Sequence, residues 1–375
     1  MSVMRLRGDW LQFVTGNALP PFPSHLDTIE LQRHINSERE KVALQQLNAS
    51  GFGDKVSFEN YTFNTDDKKL EIPIRLCRPN FKPNTNSAIA PLPVYLFFHG
   101  GGFLFGSETQ DERTCARLAV THNVIVMNAN YRHTPRWTYP TQHEDAWRAF
   151  QWLMDNIDVI GGNRSRVIVG GVSAGANLAA YVVRRHHQLQ MDEKSFECPK
   201  VSISGLVLDM PWLVHPELYP LSLRSQSHNS YIQCADAPLL PMERVRLFTR
   251  LLGPVAGDRS SVMRFGLDLD DLKNMPPTAV LVAGRDPFRD EGWRFANRLS
   301  DSGVQVQKYI FPGMPHAFWK IEELQATGLY KSALDDSLSW LLAEDLSTPE
   351  QTFQTIGDFG EPVGWPEGSG DKAPH

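Results

Sequence analysis

Three residues, met in the order serine, aspartate, histidine, carry the chemistry this sequence could perform: Ser173 in "GVSAG" (residues 171–175), Asp286 in "RDPFRDEG" and His316 in "MPHAF". A serine hydroxyl is a weak nucleophile until a base takes its proton, and an imidazole base works best when a carboxylate fixes its tautomer. These types together predict acyl transfer through a serine ester, with Ser173 attacking, His316 moving the proton and Asp286 orienting the ring. An oxyanion forms in such a reaction and needs N–H groups already aimed at it. Upstream, "FFHGGGFLFG" (residues 97–106) has three adjacent glycines whose backbone N–H groups can approach a ligand closely. Each residue alone also has a plain structural reading. Asp286 would serve as a helix N-cap, His316 as a loop histidine, and the glycines as simple turns.

Position favours the chemical reading. From about residue 94 the chain alternates short β-branched runs with helical periodicities, the pattern of βα units and a mostly parallel sheet. The expected strands are "VYLFF", "VIVMNA", "RVIVGG", "GLVLDM", "TAVLVAG" and "VQVQKYIF". Ser173 follows the third, Asp286 the fifth and His316 the sixth, so all three fall at strand C-terminal ends. The fold class is therefore α/β, and the order Ser, Asp, His is that of the α/β-hydrolase fold. Between strands, Ala146, Phe150, Leu153 and Ile157 recur at helical spacing, as do Leu178, Val182 and, less regularly, Leu189. Upstream, "VSFENYTFNTDDKKLEIPIRLCRP" reads as two antiparallel strands around a polar turn at Asp66 and Asp67.

The remaining segments set the domain reading. Residues 1–50 hold a helix-like stretch, "HLDTIELQRHINSEREKVALQQL", before the first strand; 51–211 and 255–345 form the core. Residues 212–254 separate two core strands by more than a usual connection and read as an insertion. Residues 346–375, rich in Gly and Pro, read as a disordered tail.

Composition narrows the partners. With 375 residues, 41% hydrophobic and 21% charged, the chain can bury a large core. A net charge of -6 leaves no basic excess for phosphates, so no nucleic-acid partner is expected. No apolar run is long enough for a membrane span. The N-terminus lacks a secretory pattern, and the four cysteines, Cys77, Cys115, Cys198 and Cys234, form no C-x-x-C pair. A cytoplasmic protein with reduced thiols is the expectation, with no metal and no cofactor. The adjacent His186 and His187 lack metal-ligand spacing. Phe103, Phe105 and Trp212 lie near the active strand ends and have two readings, walls of an apolar substrate cleft or core aromatics.

With these motifs assembled, residues 90–340 resemble the hormone-sensitive-lipase-like branch of the α/β-hydrolases. The resemblance rests on His99 to Gly102, on Tyr131-Arg132 with Pro135 and Asp145, and on Gly171 to Gly175 with Asn177. It extends to Asp286-Pro287 with Arg289 to Glu291, and to His316 with Phe318. It implies that Gly101, Gly102 and Ala174 supply the oxyanion N–H groups. It also implies that the N-terminal helices and residues 212–254 form a helical cap, and that a homodimer through an edge strand can form. Departures are Val172 where the family has an acid, Ala176 where it has glycine, and Arg136 where it has glutamate. The expected activity is hydrolysis of a small or medium apolar carboxylic ester or lactone. Two alternatives stand beside it. One is a dedicated biosynthetic enzyme that deacylates, cyclises or transfers an acyl group; similar chains occur in fungal biosynthetic pathways. The other is a small-molecule receptor on the same scaffold, a class that lacks the working histidine present here.

Overall fold

Apolar residues on both faces of consecutive strands require a covered sheet, and the computed structural model provides one. It describes residues 7–65, 68–80, 90–191, 201–219, 229–254, 272–343 and 353–355. Among these, nine strands form one sheet: β1 (Val56–Asn64), β2 (Glu71–Pro79), β3 (Leu92–Phe98), β4 (Ile125–Ala129), β5 (Gly162–Val172), β6 (Ile203–Asp209), β7 (Thr278–Arg285), β8 (Val306–Pro315) and β9 (Phe353–Thr355). Their order is β1-β2-β4-β3-β5-β6-β7-β8-β9. The first two strands are antiparallel, β2 pairs antiparallel with β4, and every pair from β4 onward is parallel. All six expected core strands are present. The turn at Asp66 and Asp67 lies outside the described residues.

Alternation along β3 shows how the sheet is buried. Leu96 and Phe98 enter one core cluster, Tyr95 and Phe97 the other, and all four are at most 6% exposed. The first cluster lies under α4 (Thr141–Asn156), α5 (Ala174–Met191) and α8 (Arg289–Asp301), through Phe150, Val183 and Phe295. The second lies under α3 (Glu112–His122) and α9 (Gln325–Leu341), through Ala116 and Leu338. In α5, Leu178 and Val182 point inward as expected, but Leu189 is 39% exposed. His186 takes the inward place one turn after Val182, and its Nε2 lies 3.0 Å from the Val201 carbonyl.

The N-terminal helices are α1 (Gly8–Gly16) and α2 (Thr28–Ser50). Asp27 caps α2 by accepting from Ile29 and Glu30 N–H at 2.8 and 2.9 Å, and Gly51 ends it at φ 67°. The segment expected as an insertion holds α6 (Ser230–Gln233) and α7 (Met242–Leu252). The expected disordered tail needs correction at residues 353–355, whose backbone pairs in parallel with Lys308 to Ile310 of β8. An open strand edge offers unpaired N–H and C=O groups, and this short strand satisfies them. The acidic run at Asp268, Asp270 and Asp271 and the thiol of Cys198 lie outside the described residues.

Candidate active site

Ser173 alone makes the turn between β5 and α5. Its φ of 56° lies in the left-handed region, which costs a residue with a Cβ about 1 kcal/mol or more. Four backbone bonds hold it there. Its N–H donates to the Asp209 carbonyl at 2.9 Å, and its own carbonyl accepts from Ala176, Asn177 and Trp212 at 3.1, 3.3 and 3.2 Å. Gly175 lets the start of α5 lie directly on the end of β3: a Cβ there would sit 2.1 Å from the Phe98 carbonyl oxygen. The "GVSAG" pattern is thus a packing requirement around one strained serine, whose hydroxyl is carried at the sheet's C-terminal edge.

Two strands further along, β7 and β8 bring the other pair together. His316 Nδ1 lies 2.6 Å from Asp286 Oδ2, and both side chains are buried. Asp286 Oδ1 accepts from Phe288 N–H at 2.9 Å, so the carboxylate closes a turn with one oxygen and orients the imidazole with the other. The cap position of α8 is Phe288, two residues later, so Asp286 is not its N-cap. With the Nδ1 proton directed at Asp286, Nε2 is left as the base. Aromatic packing connects this pair to the elbow. Phe288 meets His316 edge-on at 5.6 Å and stacks on Trp212 at 5.3 Å, and Trp212 is the residue whose N–H reaches the Ser173 carbonyl.

The glycine loop after β3 turns on one carbonyl, that of Gly101, which accepts from Leu104 and Phe105 at 3.1 and 2.9 Å. Gly102 has φ 64° and abuts the ring of Phe248 in α7. Where the loop begins, a Cβ on Gly100 would lie 3.0 Å from the Val172 carbonyl oxygen and 3.4 Å from Ser173 Cβ, so the start of the loop adjoins the serine turn. A face of α2 grips the far side of the loop. Gln32 Nε2 donates to the Leu104 and Thr134 carbonyls at 2.6 and 2.9 Å, Asn36 Oδ1 accepts from Gly106 N–H at 2.9 Å, and Arg39 lies over the Phe105 ring at 5.3 Å. The sequence reading missed these three. Their spacing of four and three on a capped helix was the available signal.

Phe103, Phe105 and Trp212 require correction as cleft walls. Phe103 and Trp212 are 0% exposed and Phe105 2%, so none presents a surface to a substrate. They belong to the core cluster, and Phe103 packs on Trp212 at 5.4 Å and on His143 at 5.8 Å. Residues beside a tight turn of three buried strands are covered by the loops that make the turn. Their contribution is a rigid floor.

Polar groups behind that floor are linked to one another. His143 Nε2 lies 2.8 Å from Asn177 Oδ1, Asn177 Nδ2 donates to the Trp212 carbonyl at 2.9 Å, and burial lowers the His143 pKa to about 4. Arg132 forks onto Asp145 with bonds of 2.8 and 2.6 Å. Glu291 Oε1 accepts from Leu213 and Val214 N–H at 2.5 and 3.2 Å, while Oε2 accepts from Tyr231 O–H at 3.0 Å. It thereby fastens residues 213–214 and α6 to α8, with its carboxyl pKa raised by burial.

Comparison with known proteins agrees with this geometry. The alpha/beta hydrolase fold family matches residues 95–320. Esterase LipI of Mycobacterium tuberculosis is 30% identical over 246 residues, spanning 63% of this chain and 68% of that one. Versiconal hemiacetal acetate esterase of Dothistroma septosporum is 28% identical over 256 residues, covering 68% and 75%. Among solved structures, vibralactone cyclase superposes with a TM-score of 0.78 at 22% identity, over 91% of this chain and 96% of that one.

Proposed function

The chain belongs to the alpha/beta hydrolase fold family, in its hormone-sensitive-lipase-like branch, and from that premise we propose that it hydrolyses carboxylic esters or lactones through an acyl-enzyme on Ser173. The observation that carries the proposal is the 2.6 Å contact of His316 with Asp286 on the sheet edge that also bears the strained Ser173 turn. In the first half-reaction His316 Nε2 takes the serine proton as Oγ attacks the acyl carbon. The oxyanion is held by N–H groups of Gly101, Gly102 and Ala174, and the leaving alcohol takes the proton from His316. In the second half-reaction water is deprotonated by His316, attacks the acyl carbon and releases Ser173.

The neighbouring segments give this site its cover. The N-terminal helices and residues 212–254 act as the cap, a reading supported by the grip of α2 on residues 104–106 and by Phe248 against Gly102. A small acyl group is the substrate feature that the acetate esterase among the relatives supports. No described helix is long and apolar enough to cross a membrane. We place the activity in the cytoplasm, a reading supported by the free, buried thiols of Cys77, Cys115 and Cys234.

The test is labelling by a fluorophosphonate, with turnover of nitrophenyl esters of rising acyl length, in the parent and in Ser173→Ala. The expected result is labelling and short-ester turnover that both vanish in the variant. A folded parent that neither labels nor turns over any ester overturns the proposal.

A further inference from the structure

On the face of the sheet opposite α5, one acidic side chain sits where its charge is poorly matched. Asp209 ends β6 in register beside Val172, is 2% exposed, and its backbone carbonyl holds the Ser173 N–H. Its Oδ2 accepts from Tyr330 O–H at 2.6 Å, whereas Oδ1 is buried with no hydrogen-bond partner. An ionised carboxylate has roughly four acceptor positions to fill, and this site offers one donor. An unpaired buried anion is among the costliest groups in a protein interior, while a neutral acid is tolerated far better.

Every element packed around Asp209 contributes to the balance. Tyr330 comes from α9, Tyr95 from β3, Asp286 from the end of β7, Asp111 from the turn before α3, and Lys320 from the turn after His316. Two of these are carboxylates that repel a charge on Asp209. The single ammonium, Lys320, is 41% exposed and already engages Asp111 at 3.4 Å.

The same bond reaches the catalytic histidine's loop. The Tyr330 ring stacks on Trp319 at 4.7 Å and 15°, and meets Phe318 edge-on at 5.9 Å. Phe318–Lys320 is the short helical turn that follows His316, entered through Ala317 at φ 59°. Asp209 therefore touches the serine turn through its backbone and the histidine loop through Tyr330.

We propose that Asp209 is a positioning residue that acts as an uncharged acid, a strut joining the Ser173 turn to the Phe318–Lys320 turn behind His316. The inference rests on the hydrolase reading above for its activity readout, and on the fold alone for its stability readout. Burial is the main cause that lifts the Asp209 carboxyl to about 8, with Asp111 and Asp286 adding to the rise against the opposing Tyr330 bond. The sign follows from linkage. The unfolded chain loses this proton near pH 4 and the folded chain only near 8, so stability falls as pH climbs between those values and levels off above.

The deciding comparison is parent, Asp209→Asn and Tyr330→Phe, each followed by ester turnover and fluorophosphonate labelling from pH 6 to 10 and by thermal unfolding from pH 5 to 9. Asparagine keeps the shape of the neutral acid and cannot ionise. Asp209→Asn is expected to stay within about threefold of parent kcat at pH 7. It should also keep its activity above pH 8, where the parent falls by a further factor of about five. Its unfolding midpoint should gain on the parent by roughly 3 °C or more between pH 5 and 8. Tyr330→Phe, which removes the donor, should lower kcat about three- to tenfold with KM little changed. A tenfold loss in Asp209→Asn at pH 7, or pH profiles of activity and stability parallel to the parent's, overturns the proposal. Should the folded parent neither label nor turn over esters, the hydrolase reading fails alone, and the pH dependence of unfolding still decides whether Asp209 is neutral.

Discussion

The ring of Phe248 fills the space that a Cβ on Gly102 would need, with its Cδ2 2.2 Å from that position. A helix from the segment between β6 and β7 is thereby seated on the loop proposed to hold the oxyanion. Gly102→Ala meets both that ring and an unfavourable φ of 64°, so the loop must move. Loss of one oxyanion donor costs about 10²–10³ in kcat. We expect a fall of that size in Gly102→Ala, with the unfolding midpoint shifted by no more than a few degrees. Adding Phe248→Ala should recover part of the activity, because it relieves the steric contact and leaves the backbone strain. Steady-state kinetics on the three variants checks both claims.

The α2 clamp makes a second prediction. Gln32 and Asn36 bind backbone groups of the loop segment 104–106, and one such hydrogen bond contributes about 1 kcal/mol. If that energy is expressed in holding the loop ready for the transition state, Gln32→Ala and Asn36→Ala should each lower kcat about five- to tenfold with KM within twofold. A change in KM alone would place α2 in substrate binding instead of loop support.

How much of this was legible in the sequence depended on distance along the chain. Ser173, Asp286 and His316 were legible because each follows a segment readable as a strand, and strand ends in a parallel sheet share one edge. The six core strands were legible from their short β-branched runs. Gln32 and Asn36 were not, since their partners lie some 70 residues away and the helix reads as any polar-faced helix. Phe103 and Trp212 were placed near the right strands but kept two readings, of which only the core one holds, because proximity in sequence says nothing about which loop covers a ring. Residues 353–355 were hidden by the Gly- and Pro-rich composition around them, which masks a three-residue pairing to β8. Asp209 did leave a mark, a lone acid closing the run "GLVLDM", but only the buried surroundings give that acid a meaning.

Asp286 supplies a third prediction. Its Oδ2 fixes which imidazole nitrogen of His316 faces the serine, and an amide there can present N–H and reverse the tautomer. Asp286→Asn should therefore keep the fold and lose about 10⁴ in kcat, as expected when a triad imidazole is held in the wrong tautomer. Asp286→Ala leaves the tautomer free and should lose less. Equal losses in the two variants would mean that the carboxylate's charge, and not its orientation of the ring, dominates.

His143 gives the last prediction, and its sign opposes that of Asp209. The ring is 1% exposed, Nδ1 has no hydrogen-bond partner, and burial lowers the pKa to about 4. The unfolded chain binds a proton near pH 6.5 and the folded chain only near 4, so stability is fully present above 6.5 and drains away as pH falls toward 4. A shift of that size corresponds to roughly 3 kcal/mol at the acid end of the window. His143→Gln can still donate to Asn177 Oδ1 without titrating. At pH 7.5 it should be less stable than the parent by about 1–2 kcal/mol, through lost packing against Phe103 and Tyr139. Between pH 6.5 and 4.5 it should lose less than the parent does, so that the two denaturant-unfolding curves converge. The buried His99, His186 and His215 and the half-buried His133 also have pKa values lowered by burial and would leave an acid slope in both proteins. The difference between the two slopes therefore isolates His143, and a constant gap across the window would mean that its ring takes up a proton in the fold as readily as in the unfolded chain.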